Sequence, residues 1–276
     1  MRTKLFLLLL LAALFQPFVA DARKARTPKM SIFADHIRSI AQQENISFQQ
    51  AAKAVKEMGY EGVDVWTTSS QEELKALDEV GFEHASAIAY IDYNGENYVE
   101  EEKHTIRFMR EKGFPRVLVV PALMRENAPE GTLEKVLERL DAFSRRAAKE
   151  GLDVMVEDFD DPHSPCYNTE ALDLLFKSAP HLTHTFDTGN YLFNGEDPLV
   201  AAKHFRKRIH HVHLKDRVAK NDKVSPVVGT GIVPIRDIVS YLLGKGYKGW
   251  FCVEFFGNNH MLEGAKTGIQ HVQIPY

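Results

Sequence analysis

Four side chains able to bind a divalent cation stand at the ends of four short apolar runs. Glu157 closes Val154-Met155-Val156-Glu157, Asp187 closes Thr183-His184-Thr185-Phe186-Asp187, His213 closes His211-Val212-His213, and Glu254 closes Phe251-Cys252-Val253-Glu254. The intervals are 30, 26 and 41 residues, about one strand-plus-helix unit each or slightly more. Runs of this kind predict parallel strands, and in a closed α/β barrel the carboxyl ends of the strands converge on one face. Side chains alternate along a strand. Taking Glu254 as inward therefore places Trp250 and Cys252 inward, Met155 with Glu157, Thr185 with Asp187, and His211 with His213. Three carboxylates and an imidazole then share one pocket. Buried carboxylates without a partner are costly, and a divalent cation is the simplest counter-charge. Oxygen-rich ligation with one imidazole suits Mn²⁺ or Mg²⁺, and Co²⁺ or Zn²⁺ also fit.

The elements that must position these groups alternate along the whole chain. Strands are expected at Met30–Ala34, Gly62–Trp66, His84–Ile91 and Arg116–Val120, ahead of the four runs above. The first clear helix starts at Ser47, a plausible N-cap, and Ala51, Ala52, Val55 and Met58 give it an apolar face before Gly59. Further helices are expected at Ser70–Val80, Val99–Lys112, Thr132–Lys149, Thr169–Ser178, Asp197–Arg206 and Pro234–Gly244. Eight strands with helices between them and no break in composition predict one (β/α)₈ barrel. After Glu254 only a weak helical pattern is visible around Met261–Lys266, and Ile269–Tyr276 is expected to lie as a tail across the barrel. Asp64 is expected to face outward from the second strand.

The start of the chain reads differently. Met1-Arg2-Thr3-Lys4 is basic, Leu5 to Leu14 is apolar, and Ala20-Asp21-Ala22 has the small-x-small form of a cleavage site. Residues 1–22 are therefore expected to be a secretory signal peptide, with the barrel domain over 23–276 and a periplasmic or secreted location. The apolar run is shorter than the roughly 20 residues of a spanning helix, so no membrane attachment is expected after cleavage. Without Arg2, Lys4 and Asp21 the chain carries 32 basic and 37 acidic side chains. That balance gives no footprint for nucleic acid. Cys166 and Cys252 are the only cysteines; one falls in an expected loop and the other in a strand, so stability is expected from a packed core. Association into a homo-oligomer is left open.

Val156-Glu157, Phe186-Asp187-Thr188-Gly189, His213-Leu214-Lys215-Asp216, Gly229-Thr230-Gly231, and Gly246-Tyr247-Lys248-Gly249-Trp250 leading to Glu254 give the chain a family likeness. It resembles the xylose isomerase-like barrels, which include sugar phosphate isomerase/epimerases, ketose 3-epimerases and hydroxypyruvate isomerases. The resemblance covers most of the chain after residue 22. It implies a TIM barrel whose metal is held by Glu157, Asp187, His213 and Glu254, with Glu157 and Glu254 also exchanging protons with a sugar. Isomerising or epimerising a sugar removes a proton beside a carbonyl, and a metal on the neighbouring oxygens stabilises the enediolate. One carboxylate takes the proton and another returns it. Lys215 shares the inward parity of His213 and could orient a ligand carboxylate, touch a substrate oxygen, or simply be solvated. His211 is expected behind the ligands or in the core. Trp66, Tyr90, Tyr191 and Phe256 are placed to stack on a sugar ring, or to pack in loops.

The chain departs from the family in two places: Asn190 stands where many relatives have His, and Asp158 where Asn is usual. Asn190 can hydrogen-bond a sugar hydroxyl but exchanges no proton at neutral pH. The endonuclease IV-like DNA repair enzymes of the same superfamily bind three zinc ions through further histidines. No His lies between Asp216 and Gly229, which argues against that activity. An exported enzyme would meet free sugars, keto-sugars or keto-glycosides rather than sugar phosphates. On a keto-glycoside the same enediolate could expel a neighbouring oxygen, making the protein a lyase. A non-catalytic sugar-binding barrel is a third reading, and it has no need of both glutamates.

Overall fold

The computed structural model describes residues 27–273; the expected signal peptide at 1–22 lies outside them. Eight parallel strands close in chain order into one barrel. They are β1 (Lys29–Phe33), β2 (Gly62–Trp66), β3 (Glu83–Ile91), β4 (Arg116–Pro121), β5 (Asp153–Glu157), β6 (Thr183–Asp187), β7 (Ile209–Lys215) and β8 (Trp250–Glu254). Around them run α1 (Ala34–Gln43), α2 (Phe48–Glu57), α3 (Gln71–Val80), α4 (Tyr98–Lys112), α5 (Thr132–Lys149), α6 (Thr169–Ser178), α7 (Thr188–Phe193), α8 (Pro198–Phe205), α9 (Ile235–Gly244) and α10 (Met261–Gln273). The main core lies between strands and helices, where Val63, Val117, Val156, Phe186, Val212 and Val253 meet Ile37, Leu77, Leu140, Leu172 and Ile238. Among the described residues no helix is long and apolar enough to cross a membrane. Cys166 and Cys252 are free and buried.

Local chemistry sets most boundaries. Ser47 and Ser70 each accept a hydrogen bond from the backbone three residues on, and Gln50 and Glu73 reply to the cap, so α2 and α3 begin with complete capping boxes. Gly81 and Gly113 close α3 and α4 in the left-handed conformation.

Helices α1 and α7 begin without a capping box. The chain turns from Phe33 straight into α1, with no side-chain cap. The Asp-Thr-Gly-Asn stretch is the first turn of α7, capped by Asp187 itself. The end of the chain corrects an expectation: α10 runs unbroken to Gln273, in place of a short helix and a tail. Gly264 and Gly268 weaken its helical pattern, but both face the barrel. A Cβ on Gly264 would sit 2.6 Å from the Phe255 ring, and one on Gly268 would sit 3.0 Å from Val253. Close packing there outweighs intrinsic propensity.

Candidate active site

Strand parity delivers the four side chains to one place. Asp187 stands opposite His213 across β6 and β7, and Lys215 opposite Glu254 across β7 and β8. Glu157, Asp187, His213 and Glu254 each offer one ligand atom, and these atoms all lie within 4.8 Å of one another. All four residues are buried. His213 Nδ1 is hydrogen-bonded to Glu157 Oε1 and lies 3.3 Å from Glu254 Oε2. Asp187 divides its carboxylate: Oδ1 accepts the backbone N–H groups of Gly189 and Asn190 at 2.7 and 2.9 Å, which leaves Oδ2 for the site. Lys215 Nζ sits 2.8 Å from that Oδ2 and 2.7 Å from Glu254 Oε1.

Glu254 Oε2 and Asp187 Oδ2 are buried without a hydrogen-bond partner, although Lys215 is close enough to Asp187 for an ion pair. Buried polar atoms are rarely left so. Three carboxylates and an imidazole converging here, two of the carboxylates with an unpartnered oxygen, form the donor set of a divalent cation, so these residues fit one.

The charges inside the site shift one another. Burial pushes Glu254 up to about 7, with Lys215 opposing and Asp187 adding to the rise. Asp158, just past β5, is raised well above the carboxylate range by burial and then by the charges of Asp187 and Glu157. Burial works against protonated His213 and Lys215, yet the carboxylates outweigh it and hold both above their ordinary values. Without a metal, therefore, positive charge gathers on His213 and Lys215. A cation bound through His213 must displace a proton.

A family model described as xylose isomerase-like TIM barrel matches residues 52–273. The chain belongs to that family. An inosose dehydratase of Bacillus cereus (strain AH820) is 36% identical over a shared stretch that covers 25% of this chain and 28% of the relative. The chain thus spans well under half the length of that curated relative. Among solved structures, the probable 3-DHS dehydratase AsbF of Bacillus anthracis superposes with a TM-score of 0.71 at 17% identity, over 88% of this chain and 97% of the other. The 3-keto-D-glucoside 4-epimerase YcjR of E. coli gives 0.67 at 17% identity, over 81% and 93%. At such identities these two likenesses speak for the fold.

Several neighbours of this xylose isomerase-like site take places that the sequence did not indicate. Asp64 corrects an expectation. It lies two residues from Trp66, shares its face, and points into the barrel, fully buried. Ser31 Oγ donates to its Oδ1 at 2.9 Å, and its Oδ2 lies 2.6 Å from His211 Nε2 and 3.5 Å from His213 Nε2. Burial opposes charge on Asp64, but the two imidazoles hold it well below the usual range. His211 is buried behind His213, and burial lowers it despite Asp64.

Asn190 turns its amide away from solvent: Nδ2 donates to Asp158 O at 2.8 Å, and Oδ1 accepts from Arg217 at 2.7 Å. It braces the loops rather than presenting a free amide. Lys215 is buried in the site, which removes the solvated reading. Tyr191 is buried too, stacked on Phe186 with centroids 4.9 Å apart, so it cannot stack on a ligand from the mouth. Tyr90 and Phe256 are exposed.

Arg217, fully buried in the loop after β7, was not singled out from the sequence. Its guanidinium reaches Asp160 at 2.9 Å, Asn190, and Lys223 O at 2.7 Å. Nothing short of the fold marks a loop arginine as buried. Beside it Asp216 gathers the backbone N–H groups of Gly229, Gly231 and Val233 at 2.8–3.0 Å. This accounts for Gly-Thr-Gly: a Cβ on Gly231 would come within 2.3 Å of Arg217 O and Asp216 Oδ1.

The interior facing this polar half is apolar. Ile88, Leu118 and Met155 form a separate cluster, with Phe33, Trp66 and Val120 packed against it. Trp66 donates its indole N–H to Asp35 Oδ2 at 2.9 Å, which fixes the ring. At the rim a cavity of about 560 Å³ is lined by Tyr90, Asp92, Val120, Arg125 and Phe159. A larger one of about 1170 Å³ lies on the outer shell between α4 and α5, among residues such as Arg107, Lys135 and Arg139. Volume favours the outer cavity, but convergent ligand atoms are found at the barrel mouth.

Proposed function

We propose that the protein is a divalent-metal-dependent sugar isomerase or epimerase that removes a proton from carbon beside a carbonyl. The observation that carries this reading is the convergence of Glu157, Asp187, His213 and Glu254 within 4.8 Å at the carboxyl ends of four successive strands. These four residues would hold the metal, with Mn²⁺ or Mg²⁺ favoured by the oxygen-rich set. When bound, the ion would polarise the substrate carbonyl and stabilise negative charge as it develops.

The remaining work falls to side chains of this chain. Glu157 comes from β5 and Glu254 from β8, with β6 and β7 between them, so they approach the site from different staves. One takes the proton as the C–H bond breaks and its electron pair enters the enediolate. The other returns a proton. Return to the adjacent carbon gives an isomer; return to the same carbon from the opposite face gives an epimer. Lys215, between Asp187 and Glu254, is placed to donate to a substrate oxygen. Trp66 offers its ring to the apolar face of a sugar, at the edge of the Phe33, Ile88 and Met155 wall.

A second reading shares the first step. The curated relative is named a dehydratase, as is one structural neighbour. Here the electron pair of the enediolate expels the oxygen on the next carbon, which leaves as water after accepting a proton from one of the carboxylic acids. Export, and hence a free sugar or keto-glycoside rather than a sugar phosphate as substrate, is part of the proposal and rests on residues 1–22.

A scan of keto-sugars, keto-glycosides and inososes in deuterated water separates the readings. Isomerase or epimerase action places solvent deuterium beside the carbonyl of a product with unchanged mass otherwise. Elimination yields a product lighter by water, or by the departing alcohol where the expelled oxygen is glycosidic. Turnover to an isomer or epimer that carries no solvent deuterium beside its carbonyl would reject proton transfer through the two glutamates.

A further inference from the structure

Beneath the site lies a buried carboxylate that the proposed reaction does not use. His213 turns Nδ1 toward Glu157 and Glu254, so Nδ1 is the ring atom available to a metal. An imidazole that gives a metal its Nδ1 lone pair carries its proton on Nε2, and a buried N–H needs an acceptor. Asp64 Oδ2 is the carboxylate oxygen facing that atom, at 3.5 Å. Asp64 Oδ2 and His213 Nε2 both lack a hydrogen-bond partner in this geometry, so each is left for the other. The carboxylate is aimed by Ser31, whose Oγ donates to Oδ1 at 2.9 Å. His211 Nε2 steadies Oδ2 from the other side at 2.6 Å, its ring nearly perpendicular to that of His213.

We infer that Asp64 is a positioning residue for the metal centre: it selects the Nε2–H tautomer of His213 and fixes the ring so that Nδ1 faces Glu157, Asp187 and Glu254. The inference rests on the metal reading above. A partner behind a metal-bound imidazole commonly changes metal affinity 10–100-fold. Asp64 also belongs to a second group of ligand-type residues, with His211, His213 and Cys252, whose atoms lie within 4.8 Å of one another. The inference assigns that group to holding His213 and gives it no ion of its own.

The test titrates metal-stripped protein with Mn²⁺ against a fluorescent chelator, for the wild type and for the D64N, S31A and C252S variants, and follows thermal unfolding of each metal-free protein. The expected result is one Mn²⁺ per wild-type chain, about 10–100-fold weaker binding in D64N, a smaller loss in S31A, and no change in C252S. Thermal midpoints of the metal-free variants are expected near that of the wild type, which separates positioning from a folding defect. Long-range ¹H–¹⁵N spectra of the Zn²⁺-loaded wild type should show His213 protonated at Nε2, a readout that stands even if D64N does not fold. Binding by D64N within twofold of wild type, or a His213 protonated at Nδ1, would overturn the role of Asp64. Two ions per chain, one lost in C252S, would overturn it by making Asp64 a ligand. A wild type that binds no Mn²⁺ would instead sink the metal reading, and the inference with it.

Discussion

At the scale of single residues, the site combines groups that repel one another with groups that lack partners. Glu157, Asp187 and Glu254 are buried together, and among the described residues only Lys215 and His213 form ion pairs with them. Converting either glutamate to Gln keeps the shape while removing a negative charge and a proton acceptor. E157Q and E254Q are each expected to lower kcat/KM by about 10²–10⁴-fold and to weaken metal binding, whereas a loss below tenfold in both would remove them from the proton transfer. Steady-state kinetics on the substrate found by the product scan reads this directly. Most of this residue-scale picture was legible in the sequence, because parity carried each strand-end ligand inward. Asp64 was missed although the same rule applies to it: it stands two positions from Trp66, so both share a face. Arg217 and the bracing role of Asn190 were beyond reach, since loop side chains have no periodicity to betray their burial.

At the scale of elements, β4 to β8 were readable because each is a short run closed by a polar residue or Pro121, and the capped helices because Ser47 and Ser70 announce them. Helix α10 was not, because its two glycines look like breakers in a sequence and act as contact points in the fold. The loop between β7 and α9 makes a sharper case. Gly231 approaches backbone that cannot yield, so G231A is expected to cost about 1–3 kcal/mol, as overpacking does. Its Tm should fall by several degrees. Gly244, the last residue of α9, has open space where a Cβ would go and no positive φ; G244A is expected to leave stability unchanged or raise it by less than about 1 kcal/mol. Thermal denaturation of the pair distinguishes a requirement for close approach from a general dislike of substitution. Equal midpoints for the two variants would contradict the account of Gly-Thr-Gly.

At the scale of the whole molecule, a closed eight-stranded sheet leaves no edge, and its stability must respond to pH through the groups it buries. Burial lowers His184 to about 4, against a hydrogen bond from its Nδ1 to Val156 O and the nearby Asp187 charge. The unfolded chain takes up that proton near 6.5 and the folded one does not. The contribution of His184 is therefore complete above pH 6.5 and is lost as pH falls toward 4. In H184Q the stability difference between these limits should shrink by one proton, or about 1.4 kcal/mol for each pH unit crossed. Denaturant titrations at several pH values check this, and parallel curves for the two proteins would refute it. The barrel itself, with its strand order, follows from eight alternating units, and membership of the xylose isomerase-like family agrees with it. The central claim is that one cation is gripped by four side chains of this barrel, and elemental analysis of the purified protein tests it most directly. The account predicts about one divalent metal ion per wild-type chain and almost none in H213A or the double variant E157Q/E254Q. Metal-free wild type that retains full turnover, or variants that keep a full complement of metal, would contradict it.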